Sequence, residues 1–215
     1  MKAKKPKIRM LGNVPFRPDV LRAIYPAISR IDRKTSELEE SGEITRLKKG
    51  LYVVNPDESG IPLVQPLLAN HIYGPSYVSM ESALRYYGLI PESVYSTISI
   101  TTGIARTYDN KIGIFRYIHC DSPYYPVGIT QGLEEGVTFL IATPEKALCD
   151  QIIFTRGLNI RYQSEMERYL ENDLRFDIDY LKNFNVGILM ECAATGKKQT
   201  SIKQLIKFVE HVRNI

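Results

Sequence analysis

Residues 29–54, SRIDRKTSELEESGEITRLKKGLYVV, constrain the fold more than any other stretch, because they set one helix against a tight hairpin across a short link. Ile31, Thr35 and Leu38 recur at i, i+4 and i+7, which predicts a helix with a single buried stripe. Ser29 is placed to cap that helix, with Asp32 three residues on in a near-variant of the capping box. At about 100° per residue, Arg30, Arg33, Ser36 and Glu37 point away from the stripe. Gly42 stands where a helix end takes a left-handed residue. Two β-prone runs come next, Ile44-Thr45-Arg46-Leu47 and Leu51-Tyr52-Val53-Val54, around the turn Lys48-Lys49-Gly50.

Upstream, Pro18 to Tyr25 reads as a short first helix with proline early and Val20, Leu21 and Ile24 on one side, and Pro26 ends it. Two helices and a lysine-tipped hairpin form the pattern of a winged helix-turn-helix, whose second helix enters the major groove while the wing touches phosphates. Glu37, Glu39 and Glu40 lie in the far half of the second helix, leaving Arg30, Arg33 and Lys34 at its electropositive end. A solvated basic face is the competing explanation. Residues 1–17 carry six basic residues. The first seven are expected to form a mobile arm that either tracks phosphates or aids solubility. Gly12, Asn13 and Pro15 interrupt the rest of this segment, so Ile8–Leu11 is expected to be only a short strand or half-turn.

Charge is distributed unevenly. The chain of 215 residues has a net charge of +4, yet residues 1–54 hold 13 Lys/Arg against 6 Asp/Glu, and the remainder 15 against 18. A basic head on a mildly acidic body fits a nucleic-acid module joined to a second unit. The turn-rich NPDESGIP at 55–62 is the expected boundary, giving a winged helix-turn-helix over 1–55 and a mixed α/β domain over 62–215 that ends in helices, α+β in class. Cys120, Cys149 and Cys192 are odd in number and form no CxxC pair, which points to reduced core thiols. With no long apolar run and no apolar segment behind the basic start, neither a membrane partner nor a signal peptide is expected, and the cytoplasm is the expected compartment.

In the larger unit, helices are expected over 62–73 and from the Ser79 cap to Tyr87, stopped by Gly88. Strands are expected at 95–101, 111–119, 127–131 and 136–142, the last two split by a turn near Gly132. Thr143-Pro144 starts a helix that runs to about Thr155. From 163 onward the chain reads as helical, with Met166, Leu170 and Leu174 on one stripe. Ser201 is the expected cap of a last amphipathic helix, with Lys203, Lys207 and Arg213 opposite its apolar face.

Catalytic signatures are thin. His71, His119 and His211 fall in three separate elements, and His119 and Cys120 alternate across a strand, so no metal site and no cofactor are expected. Glu145-Lys146 invites comparison with nuclease carboxylate–lysine cores, but the two are adjacent at a helix start, and Lys146 and Asp150 at i, i+4 are expected to pair on the surface. Tyr86-Tyr87 and Tyr124-Tyr125 are expected to pack rather than stack on bases, because no basic lane runs past them. No enzyme activity is expected.

The wing ITRLKKGLYVV, the segment YVSMESALRYYGLIPE, the run ISITTGIARTYDNKIGIFRYIH and the stretch FLIATPEKALCDQI succeed one another in an order that resembles the AbiEi-like antitoxins, transcriptional regulators of abortive-infection (type IV) toxin–antitoxin systems. The likeness covers roughly residues 17–160, with ATPEKALCD its most specific piece. It implies an N-terminal winged helix-turn-helix that represses its own promoter, and a C-terminal domain that opposes a nucleotidyltransferase toxin without a stable complex being required. By position, Arg30, Arg33, Lys34 and Ser36 would face the groove of double-stranded DNA, and Arg46, Lys48 and Lys49 would hold phosphates. Glu145, Lys146 and Asp150 fall in the signature helix and carry no catalytic role. The alternatives are a metal-dependent nuclease or a toxin-binding module in 62–215.

Overall fold

The computed structural model describes residues 7–91 and 95–214. The strongly basic arm therefore lies almost wholly outside the described residues, and Lys7–Leu11 is a turn of 3-10 helix rather than a strand. Phe16 and Tyr52 exchange both backbone hydrogen bonds (2.8 and 2.9 Å), a one-residue bridge onto the hairpin. A 3-10 turn at Pro18–Val20 leads directly into helix α1 (Leu21–Ile24), and α2 spans Ile31–Glu40. Arg30, not Ser29, is the cap residue of α2, and no side chain caps it, so the expected capping box is absent. Its other end is as expected. Gly42 takes φ +76°, letting the Glu43 N–H reach Leu38 O (2.9 Å) and the Gly42 N–H reach Glu39 O (3.2 Å).

The hairpin pairs β1 (Ile44–Lys48) with β2 (Leu51–Val54). Its side chains alternate between two cores, as the pleat requires. Ile44, Tyr52 and Val54 join Ile8, Phe16, Leu21 and Leu38 in a small N-terminal core. Leu47, Leu51 and Val53 instead enter the main core of the larger unit. The hairpin is thus a wall shared by both units. Asn110 Nδ2–H donates to Leu47 O (3.0 Å), fastening the hairpin further, and Asn13 Nδ2–H donates to Pro62 O (3.1 Å), tying the N-terminal segment to the link. Residues 55–62 include a turn of helix, α3 (Pro56–Ser59).

Beyond them a six-stranded mixed sheet has the order β5-β6-β4-β3-β8-β7. Its strands are β3 (Ser76–Val78), β4 (Ser96–Thr101), β5 (Arg106–Asn110), β6 (Gly113–His119), β7 (Ile129–Glu134) and β8 (Val137–Ala142). The pairs β3–β8 and β4–β6 are parallel and the others antiparallel. Helices α4 (Gln65–Ile72), α5 (Met80–Tyr86) and α6 (Pro144–Phe154) contribute buried residues to the same core. Thr143 caps α6 by accepting from the Lys146 N–H (3.3 Å), as the Thr-Pro start predicts. The expected turn near Gly132 is displaced. The chain reverses at Glu135-Gly136, both at positive φ (48° and 74°), the two-residue turn that suits a hairpin. Gly132 lies within β7 instead, where the Phe139 ring covers it closely enough that a Cβ would stand 2.4 Å from a ring carbon.

The helical end comprises α7 (Gln163–Arg168), α8 (Val186–Thr195) and α9 (Gln199–Arg213), with Met166, Leu170 and Leu174 buried as the stripe predicts. Ser201 is not a cap. Helix α9 begins two residues earlier, and the buried Ser201 hydroxyl donates to Ile160 O (3.1 Å) while accepting from the Ile160 N–H (3.0 Å). Arg213 is exposed, and its guanidinium also donates to Lys182 O and Phe184 O.

Candidate nucleic-acid interface

The seven predicted contact residues fall into three groups. Arg30, Arg33 and Lys34 line one shallow depression of about 300 Å³ at the start of α2, with Ala27, Ile28, Ser29 and the carboxylate of Glu37 completing its lining. Because no side chain caps α2, the peptide N–H groups of its first turn stay directed at this depression's end of the helix. The exposed Arg33 guanidinium bonds Glu37 (3.1 Å), and the Lys34 ammonium also reaches Glu37 (3.5 Å) while lying 5.3 Å from the Tyr25 ring. Exposed pairs at this spacing contribute little, so a phosphate can take these cations from Glu37 at small cost. Ser36 is exposed on the same helix, one turn beyond Arg33.

Arg46 forms the second group. It sits between Glu39 (2.8 Å) and the Tyr52 ring (5.6 Å), and the Glu39 carboxylate holds its guanidinium above the ordinary arginine value. The third group is at the hairpin tip. Lys48 and Lys49 line a larger hollow of about 540 Å³ together with Arg17 and His71, neither of which the sequence reading placed beside the hairpin tip. The Lys48 ammonium donates to Ile72 O at the end of α4, so it is tied to the larger unit, a structural duty on top of any phosphate contact. Burial holds its pKa below the usual lysine range, and Arg17 and Arg106 push it the same way. Lys49, by contrast, is exposed at the turn. The Phe16–Tyr52 bridge is what carries Arg17 to this place, and a one-residue strand leaves no periodic trace in a sequence.

The signature stretch ATPEKALCD forms something other than the surface pair expected of it. Lys146 and Asp150 are fully buried, 3.4 Å apart. The ammonium also donates to Tyr124 O (3.0 Å). The carboxylate accepts from the hydroxyls of Tyr124 (2.5 Å), Ser79 (2.6 Å) and Tyr77 (3.0 Å). Burial pushes the Asp150 pKa up, against Lys146 and these three donors. Burial also raises both tyrosines, with the Asp150 charge adding to it. Glu145, also buried, accepts from the Asn185 N–H (2.7 Å). All nine residues from Glu145 to Ile153 are buried. The cluster therefore joins α6 to β3, to the 121–127 turn and to the start of α8, and presents no reactive group to solvent.

Among the described residues, no three His, Cys, Asp or Glu side chains converge as metal ligands, and no helix is long and apolar enough to cross a membrane. The exposed His119 Nδ1 lies 2.9 Å from Gly103 O, while Cys120 beside it is buried. No protein-family model matches the chain, and neither does any of the curated proteins compared with it.

Proposed function

We propose that this chain is a DNA-binding autorepressor and the antitoxin of a type IV abortive-infection system, opposing a nucleotidyltransferase-type toxin, with residues 1–55 acting as a winged helix-turn-helix. One observation carries the DNA half of this reading. Arg30, Arg33 and Lys34 share one open depression at an uncapped helix end, succeeded directly by a lysine-tipped hairpin. That is the disposition in which a helix can read base edges while the hairpin holds phosphates. Support for the antitoxin half comes from the resemblance of the segments between Tyr77 and Ile152 to the AbiEi-like family. The nuclease alternative has no accessible group in the Glu145, Lys146 and Asp150 trio, because all three side chains are spent on internal bonds. Double-stranded DNA from its own promoter is the proposed partner, and the toxin a functional one.

The test is a binding titration on the DNA immediately upstream of the gene against a scrambled duplex, at about 50 and 200 mM salt, where phosphate contacts show as a slope. Arg33→Ala should lose about 1–3 kcal/mol of discrimination between the two duplexes, the contribution of one bidentate arginine–guanine contact. Lys49→Ala should weaken both equally and flatten the salt slope. Lys48→Ala is the poorer probe, since it also frees Ile72 O. Equal, weak binding of both duplexes by the unaltered protein would refute the repressor reading.

A further inference from the structure

The positive charge of the N-terminal unit is not spread evenly over its surface. Around α2, cations are answered locally: Arg33 and Lys34 by Glu37, Arg46 by Glu39. At the hairpin tip they are not. Arg17, Lys48 and Lys49 converge on the hollow of about 540 Å³, together with His71 and without any carboxylate in its lining. Arg106 on β5 is close by. Its guanidinium lies 5.5 Å from the ring of Tyr73, the residue after the Ile72 whose carbonyl holds Lys48. Among the described residues, none of Arg17, Lys48, Lys49 and Arg106 has an ion-pair partner within 4 Å. Cations held together without counter-charge repel one another, and Arg17 and Arg106 add to the burial that lowers the Lys48 pKa.

Their positions are fixed by the fold. The Phe16–Tyr52 bridge sets Arg17, the bond to Ile72 sets Lys48, and β5 pairing with β6 sets Arg106. The hollow is concave and falls in the size range of small-molecule sites, about 300–1,000 Å³, so its shape suits a compact anion more than the side of a duplex. Burial keeps the His71 imidazole below its ordinary pKa, so at neutral pH it is an uncharged hydrogen-bonding wall.

We propose that the hollow between the hairpin tip and α4 binds a free oligophosphate, such as the triphosphate of a nucleotide, through Arg17, Lys48 and Lys49, with the nearby Arg106 adding its charge to the site. The site stands apart from the groove-facing residues of α2 and does not depend on the repressor reading. A ligand seated there engages Lys49, so in a DNA-binding protein it would compete for a phosphate contact and link DNA affinity to oligophosphate concentration.

Isothermal titration of the full chain with inorganic tripolyphosphate, and separately with ATP, at about 100 mM salt tests it. Saturable one-to-one binding is expected, weakened about tenfold or more in Lys49→Glu, which reverses a unit charge in the lining, and by a smaller factor in Arg106→Glu, which reverses one beside it. Arg33→Ala should bind as the unaltered chain does. Circular dichroism and the melting temperature confirm that the variants fold. These two sites are chosen because neither side chain holds a backbone carbonyl. Equal affinity for the two probes assigns recognition to the phosphate chain alone, and tighter ATP binding adds the nucleoside to it. The absence of saturation below about 1 mM would overturn the proposal, even if the same protein bound duplex DNA. Binding indifferent to both charge reversals would overturn it as well, because the ligand would then sit elsewhere.

Discussion

Replacing Lys146 with methionine removes the ammonium from the centre of the larger unit while keeping most of the side chain's length and apolar stem. Asp150 is then left fully buried with three hydroxyl donors and no counter-charge. Breaking a buried pair on one side costs about 3–5 kcal/mol, or about 6–20 °C in melting temperature for a chain of this size. The cost should depend on pH. The Asp150 pKa is already raised by burial, and Lys146 is the largest influence opposing that rise, so the variant raises it further. A carboxyl raised on folding favours the native state below its unfolded value of about 4, and that advantage is lost as pH climbs through the folded value. The variant should therefore be closest to the unaltered protein near about pH 5 and furthest from it near about pH 8. Urea unfolding monitored by far-UV circular dichroism at both pH values measures this. Adding Asp150→Asn should recover part of the loss, because the bare charge is gone while the amide oxygen still accepts a hydroxyl. A cost below about 1 kcal/mol at both pH values would refute the account of a buried, charged pair.

Gly132→Ala places a methyl group against the Phe139 ring, which already packs edge-on against Tyr86 with ring centres 5.5 Å apart. It should cost about 1–3 kcal/mol by overpacking, read from chemical denaturation; a neutral result would mean the ring has room to move. Leu47→Ala should cost about 2–5 kcal/mol and lower the stability of both units together, since Leu47 lies in the main core although it belongs to the hairpin. Hydrogen exchange resolved along the chain checks this, and a change confined to residues 7–55 would contradict a shared wall.

How far the sequence could be read depended on what each segment faces. Segments with one dry face and one wet face were legible: the stripe of α2, the hairpin, the Thr143-Pro144 start of α6 and the row Met166, Leu170, Leu174. Strand β5, RTYDN, was missed because it is an edge strand with no fully buried side chain, so it shows no alternation of apolar residues. Lys146 and Asp150 were misplaced because charges at i, i+4 normally mark a wet face. The contrary signal lay between and beyond them, in Ala147, Leu148, Cys149, Ile152 and Ile153, which leave that helix no wet face to offer. Arg17 reaches the hairpin tip through the long-range Phe16–Tyr52 bridge and Arg106 through the contact of β5 with β1, where Asn110 bonds Leu47 O, and no local pattern encodes either.

The hairpin register decides which lysine is free. Along β1, Ile44 faces the small core and Arg46 lies over Tyr52 on the same side, so strict alternation would put Lys48 there too. The register instead shifts between Arg46 and Lys48, with Arg46 opposite Tyr52 and Lys48 opposite Leu51. A bulge of this kind re-aims the residues after it. It turns Lys48 toward α4, where its ammonium closes on Ile72 O, and leaves Lys49 exposed at the tip. Leu47 and Leu51 remain together in the main core. Packing on both faces holds the register, since Ile44, Tyr52 and Val54 lie in the small core while Leu47, Leu51 and Val53 lie in the main one. The two lysines that look equivalent in KKG therefore have separate duties: Lys48 anchors the hairpin to the larger unit, and Lys49 is the cation it can offer to a phosphate.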